Sequence, residues 1–497
     1  MLCLTLAFVQ TDWGQNWLAR QVTHRLSKDL QSRIRIDHVR IGFFNKMNLK
    51  GVLVEDQNKD TLLYAGTVQV NITDWFFLKE QADLKYIGLE NAVIKLQRTD
   101  STWNYKFLEQ YFAGGGGGNK KKKAGIEFNL KQVEMYNVSI VQKDAWVGQD
   151  LYVKLGALNL DANTISITRK LIDANQLTLE QPYFHQFSYP GRKPKTTAIA
   201  VNEAGKEVVR DTALQWNPAN WNMMVKSIAI KNGTYRNDHD SLTPGWAHFD
   251  GQHLNFGAIN GTINDFRFVK DTLRATTNLS TKERSGFTVE RLQSNLRFHP
   301  QQMEFNNLYL KTNRSVLGDY FAMKFSEIGD MNDFIHAVTM NANFKNSSVA
   351  SDDIALFAPE VKDWNKIFKL DGKVKGTVDA LTGENVNVRA GLSTALQGNF
   401  TLVGLPNINE TLITVEANEL RSNYADAVTF IPALRSLQTP DFSRLGAIRF
   451  KGTYTGFIND FVTYGTIQTA LGTVTTDLNM KLPVGNTPPV YSGSIST

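Results

Sequence analysis

Residues 67–72 read TVQVNI, and the stretch alternates without a fault. Val68, Val70 and Ile72 point one way, while Thr67, Gln69 and Asn71 point the other. A period of two with one dry face and one wet face is the pattern of a half-solvated strand. The pattern recurs at Ala92, Ile94 and Leu96, at Ile228 and Ile230, and at Met303, Phe305, Leu308 and Leu310. It appears again at Ile413 and Val415, at Ile448 and Phe450, and at Leu478, Met480 and Leu482. Asn, Asp and Gly sit where the chain must reverse, so hairpin-like antiparallel neighbours are the natural connection. Turns at about 15 to 18 residues apiece give about 25 to 30 strands. Helices are too few to cover the dry faces. Either two sheets cover each other as β-sandwiches, or a long curled sheet closes its apolar face over acyl chains. Periodicity alone leaves both open.

The totals fit a water-soluble chain of several domains. Of 497 residues, 42% are hydrophobic, the mean hydropathy is −0.29, and no internal run approaches the ~20 apolar residues that span a bilayer. Fifty-four basic against 48 acidic residues leave a formal charge of +6. That balance suits a solvated surface with some attraction to anionic membranes and does not argue for nucleic acid. Cys3 is the single cysteine, so no intramolecular disulfide or cysteine metal site is available.

Residues 1–9, MLCLTLAFV, are apolar but lack a basic flank and a small-residue cleavage site. At about half the length of a membrane span, residues 1–10 read as the tail of a shortened membrane anchor. Thr11-Asp12 then caps a helix to about Leu30. Trp17, Leu18, Val22, Leu26 and Leu30 give it an apolar stripe, and Arg20, His24, Arg25 and Lys28 a basic face. Trp17, Arg20, Arg25 and Lys28 are therefore candidates for contact with a phospholipid surface; packing as a plug on the first strands is compatible with this.

The expected divisions are the anchor at 1–10, the helix with the first strands at 11–112, and a flexible loop at 113–124. A β-region at 125–345 and a repeat-like β-region at 346–497 follow. The loop contains Gly114 to Gly118 and Lys120 to Lys123, which cannot pack a core. It lacks the Gly-Lys-Ser/Thr order of a phosphate loop. Echoes at roughly 75 residues join KGTV 375–378 with KGTY 451–454, TALQG 394–398 with TALG 469–472, and Leu405-Pro406 with Leu482-Pro483. GTINDF 261–266 is echoed by GFINDF 456–461. Two helical interruptions are expected, in 351–368 after a Ser351-Asp352 cap and in 423–437 around Pro432.

Catalytic constellations are weak. DHD at 238–240 with His248 and His253 has metal-ligating residue types, but its surroundings read as a polar surface loop. GLSTA at 391–395 is half a nucleophile elbow, with Ala395 in place of the second glycine. Asp352-Asp353 falls at a helix start, where the macrodipole accounts for it. No catalytic residue, metal site or cofactor is assigned, and the chain reads as a non-enzyme.

RLSKDLQSRIRIDHVRIGFFNKMNLKGVLVEDQNKDTLLYAGTVQVNI (25–72) resembles the start of the large TamB proteins of the AsmA-like superfamily. KERSGFTVERLQSNLRF, SDDIALFAPEVKDW, DGKVKGTVD, YADAVTFIPALR and GFINDFVTYGTIQTALGTVTTDLNMKLP resemble later blocks of that family. The resemblance implies a mainly β fold: an elongated, curled antiparallel sheet forming a repeat-like groove (a β-taco), with an N-terminal amphipathic helix and a few short helices. It implies an inner-membrane anchor with the bulk in the bacterial periplasm, and phospholipid carried along an apolar groove towards the outer membrane. The alternating residues named above would line that groove. It also implies an alternative: a scaffold for translocation and assembly of outer-membrane proteins with a TamA- or BamA-type barrel, reached through a C-terminal part this chain lacks.

Overall fold

The computed structural model describes residues 11–41, 46–72, 84–112, 130–166, 169–194, 200–201, 207–208, 216–240, 243, 249–357, 359, 362, 365–430, 434–435, 441–482 and 490–497. The expected anchor, the Gly/Lys loop, Pro432 and Pro483 lie outside them. The protein is mainly β, with a long sheet of 24 strands, a two-stranded ribbon and a few short helices. By its contacts the chain divides into two compact units, residues 1–244 with 252–275, and residues 245–251 with 276–497.

The helix Asp12–Leu30 begins as the sequence requires: Thr11 Oγ1 accepts the Gly14 N–H at 3.1 Å. It ends on Gln31 in the left-handed region, φ 49°. Leu26 and Leu30 pack with Ile34, Val54, Leu62, Leu96, Phe107 and Leu108. Trp17 does not share this stripe. It lies half a turn of the wheel away from Leu26 and is 47% exposed. The side chains of Leu18 and Val22 are outside the described set. No helix among the described residues is long and apolar enough to cross a membrane.

In the first unit, neighbours in sequence are mostly neighbours in the sheet. Lys46–Glu55, Thr61–Ile72 and Leu84–Arg98 form an antiparallel meander. Leu130–Asp144 then pairs parallel to Leu84–Arg98, so the all-antiparallel expectation fails there. The long strand Gln149–Ser166 pairs along its length with two shorter ones, Leu171–Glu180 and Tyr183–Ser188. Asn222–His239 adds parallel to both, a second departure, and pairs antiparallel with Leu254–Val269. In the second unit, the strands from Thr288–His299 to Val490–Ser496 pair antiparallel in sequence order.

The first helical interruption is shorter than expected. Ser351–Ile354 is a four-residue helix with no side-chain N-cap, and Tyr424–Phe430 is a helix of seven residues. The macrodipole account of Asp352-Asp353 is superseded. Asp353 is buried and accepts from the Thr312 and Ser315 hydroxyls, each at 2.6 Å, and from Arg314 N at 3.2 Å. Asp352 pairs with Arg314. The echoes do not occupy equivalent places either: 261–266 lies within a strand, whereas 456–461 spans a hairpin turn. Residues 394–398 are strand, while TALG 469–472 crosses a turn.

Candidate functional site: the apolar face of the sheet

Side chains directly opposite one another across a ladder share a face, so register identifies what lies on it. Met47, Val70, Ile87, Val133, Leu160, Leu177, Ile228 and Ile263 are opposed in turn across eight strands of the first unit. Leu49, Val68, Leu89, Met135, Leu158, Leu179 and Ile230 form the adjacent row. All but Ile228 in these two rows are only half-buried.

Further along the strands come Val52, Ala65, Ala92, Val138 and Leu155, all buried, and then Val54, Leu63, Ile94, Ile140, Val153, Phe184, Tyr235 and Phe256. These two rows differ in phase from the first two. Val68 and Ala65, or Leu89 and Ala92, are three residues apart, and strict alternation would put them on opposite faces. They nevertheless pack together, Val52, Ala65, Ala92 and Val138 being in contact with Leu49, Val68, Leu89 and Met135.

The intervening residue takes up the slip. Gly51, Asn91, Asn137, Gln181 and Asn232 have φ between 50° and 60°, a left-handed step that Gly and Asn take most readily. On the strands running the other way the same level holds glycine. A Cβ on Gly66 would lie 3.3 Å from Asn91 Cβ, and one on Gly156 would lie 2.9 Å from Glu180 O. Asn137 Nδ2 donates to Asn91 Oδ1 at 2.6 Å, which joins two steps on adjacent strands. The result is a crease crossing six strands and the Gln181 junction between Leu171–Glu180 and Tyr183–Ser188, with a single apolar face on both sides of it.

The second unit carries a comparable face. Phe298, Met303, Met323, Met340, Gly376, Leu381, Leu402, Ile413, Gly456, Phe461, Met480 and Tyr491 are opposed in turn across twelve strands. The next row holds Leu296, Phe305, Phe321, Ala342, Val374, Gly383, Phe400, Val415, Tyr454, Thr463, Leu478 and Gly493. Tyr454 and Phe461 stack at 4.8 Å. Phe400 lies over Gly383, where a Cβ would come within 2.7 Å of its ring.

The residues read from alternation thus fall into groups. Val68, Val70, Ala92, Ile94, Ile228 and Ile230 meet on the face of the first unit, and Met303, Phe305, Ile413, Val415, Leu478 and Met480 on that of the second. Leu96 instead packs against the helical cluster. Ile72 is paired through its backbone with Leu84, its side chain being outside the described set. Leu308 and Leu310 continue from Met303 and Phe305 past a left-handed Asn307. Phe450 opposes Leu420 and Ile467. Ile448 opposes Ser422, and Leu482 is buried beyond a strand end.

Sequence reasoning missed the crease and the bends of the second unit, although their signal is present. Leu-Glu-Asn-Ala (89–92), Met-Tyr-Asn-Val (135–138), Phe-Asn-Asn-Leu (305–308) and Phe-Lys-Asn-Ser (344–347) place Asn third after an apolar residue. It also missed Trp13, which is 71% exposed. At 100° per residue Trp13 lies in line with Trp17, Arg20, His24 and Lys28, all exposed and opposite Leu26. Arg25 stands to one side, 3.8 Å from Asp29.

The chemical candidates have other roles. Asp238 accepts from His185 Nε2 at 2.8 Å, from His253 Nδ1 at 3.2 Å and from Arg236 Nε at 2.5 Å. Asp238 and His253 are buried, so the expected surface loop is partly an internal polar cluster; His248 lies outside the described residues. Among the described residues no group has the arrangement to hold a metal ion. In GLSTA, the backbone N–H groups of Leu392, Ser393 and Thr394 all donate to Asp426. Burial opposes ionisation of this carboxyl, and those bonds outweigh it and hold its pKa below the ordinary range. Compared with known proteins, the chain matches no family model and no curated sequence.

Proposed function

We propose that the protein carries phospholipid acyl chains along the apolar face of its sheet, as a membrane-anchored periplasmic conduit of outer-membrane biogenesis. The observation that carries this reading is the eight-strand row from Met47 to Ile263, apolar throughout and mostly half-buried. Seven strand spacings of about 4.8 Å give roughly 34 Å, slightly more than the ~30 Å hydrocarbon core of a whole bilayer. Each methylene leaving water for such a surface gains about 0.8 kcal/mol, and an unbroken row lets a chain slide without exposing its tail. The exposed Trp13, Trp17, Arg20 and Lys28 suit an interfacial helix. The resemblance to the TamB proteins supports the same reading.

Photo-crosslinkers at Val70, Ile94 and Phe305 are expected to capture phospholipid, whereas those at Gln69 and Lys95 on the opposite face are not. Equal capture from both faces would refute the conduit. Val70→Asp with Ile87→Asp should interrupt lipid passage. If the protein is instead a scaffold using strand edges, client assembly survives those charges.

A further inference from the structure

Cations on the sheet are commonly matched across the ladder by carboxylates. Lys231 faces Glu180 at 2.7 Å, Arg297 faces Glu304 at 2.9 Å, and Lys481 faces Asp460 at 3.1 Å. One row breaks the pattern. Lys369 is directly opposite Arg389, Arg389 opposite Ala395, Ala395 opposite Arg421, and Arg421 opposite Arg449. Like charges directly opposed destabilise a ladder, and here two such pairs flank one small residue. Among the described residues, Glu419, 3.4 Å from Arg421, is the one ion-pair partner of the four.

The four cations line a cavity of about 1020 Å³. Its floor is the buried Ala395, a gap between Arg389 and Arg421. Tyr424 and Ser443 are also in its lining, the Tyr424 hydroxyl donating to Leu434 O at 3.4 Å and the Ser443 hydroxyl to Asp441 Oδ1 at 2.5 Å. Two acids close in sequence to the lining residues are already engaged: Asp426 accepts from the 392–394 turn, and Asp441 from Ser443 N and Oγ. Arginines that register brings to the two sides of one gap suit a tetrahedral oxyanion.

We infer that this cavity is a phosphate-binding site, its ligand a phosphate or phosphate ester whose charge relieves the repulsion in the row. The inference does not rest on the conduit reading, because the cations occupy the face opposite Leu370, Val388, Leu420 and Phe450. A free phosphate ester and a lipid headgroup present the same chemistry.

The test follows thermal stability and calorimetric binding of the full chain at low ionic strength. It compares inorganic phosphate, glycerol 3-phosphate, chloride at matched ionic strength, and phosphatidylglycerol vesicles against phosphatidylcholine ones. Phosphate should raise the melting temperature beyond chloride. Arg389→Gln with Arg421→Gln should weaken phosphate binding by about tenfold or more, while itself raising the melting temperature in phosphate-free buffer. Lys311→Gln, which removes a paired cation elsewhere, should leave phosphate binding unchanged. Vesicle binding lost in the double variant would identify a lipid headgroup; binding of the soluble esters alone would identify a free one. A phosphate effect no larger than that of chloride, or one that survives in the double variant, overturns the inference. Should the double variant not fold, Arg449→Gln alone gives the same readout.

Discussion

The two units bend their strands differently, and each keeps an apolar face of its own. In the first, the strands from Lys46–Glu55 to Gln149–Ser166 take their irregular step at one level, so pairing resumes without a change of register: Lys50 pairs with Thr67 and Val52 with Ala65; at Asn232, whose N–H donates to Asn260 Oδ1 at 2.8 Å, the register does shift. In the second, one strand of a pair takes an extra residue and the register shifts by one. Asn306 pairs with Tyr320 but Leu308 with Asp319, and the same occurs around Asn346 and Asn385. The first solution is a crease and the second a series of β-bulges. Two of these bulges are satisfied by the neighbouring strand, Asn346 N donating to Asp371 Oδ1 at 2.6 Å and Asn385 N to Asn399 Oδ1 at 2.9 Å. Bending a sheet therefore requires a left-handed residue and an acceptor for any freed N–H, but not one particular register.

The largest effect is expected where the second unit uses glycine as a seat. Gly383→Val should displace the Phe400 ring and lower stability by about 2–3 kcal/mol, read from the denaturation midpoint. An unchanged midpoint would show that the ring is not held there.

At the bends themselves, Asn137→Ala should cost about 1–2 kcal/mol, because alanine disfavours the left-handed region, whereas Asn137→Gly should be nearly neutral. The contrast between units sharpens in double mutants. Asn91→Gly and Asn137→Gly share a hydrogen bond and should show a coupling of about 0.5 kcal/mol or more. Asn346→Gly and Asn385→Gly, each held by a different partner, should add. Additivity in the first pair would remove the distinction drawn between crease and bulges.

The last effect is confined to the first unit and is lost only at alkaline pH. Burial, and then the 2.8 Å hydrogen bond to Asp150, push the Tyr189 phenol up to about 12. A raised folded pKa means that its contribution is complete below the unfolded value of about 10 and is lost as pH climbs towards 12. Tyr189→Phe should cost about 1 kcal/mol at pH 7 and flatten the alkaline limb of the stability profile. A limb of unaltered steepness would assign it to other groups.

Much of this fold is legible in the sequence because alternation is enforced locally. TVQVNI lies between the crease and the end of its strand, so Val68 and Val70 read correctly as one face. The crease is harder to see. A slip of one residue makes Leu89 and Ala92 look like members of two separate short strands, and only the Asn between them signals otherwise. Parallel pairing of Leu130–Asp144 was also hidden, since it depends on what the intervening residues allow rather than on the strand itself. The basic row is invisible in sequence: Lys369, Arg389, Arg421 and Arg449 lie far apart along the chain and meet only through register.

Asn307, Asn346 and Asn385 recur at intervals of 39 residues, about half the length of the faint sequence echoes. Each interval brings a pair of strands, its own bend and its own share of the apolar face. A gene that duplicated or lost one such interval would alter the number of strands while keeping the way each strand pairs with the next. The length of the sheet is therefore a trait that evolution can change in steps, much as a chain is lengthened by adding links.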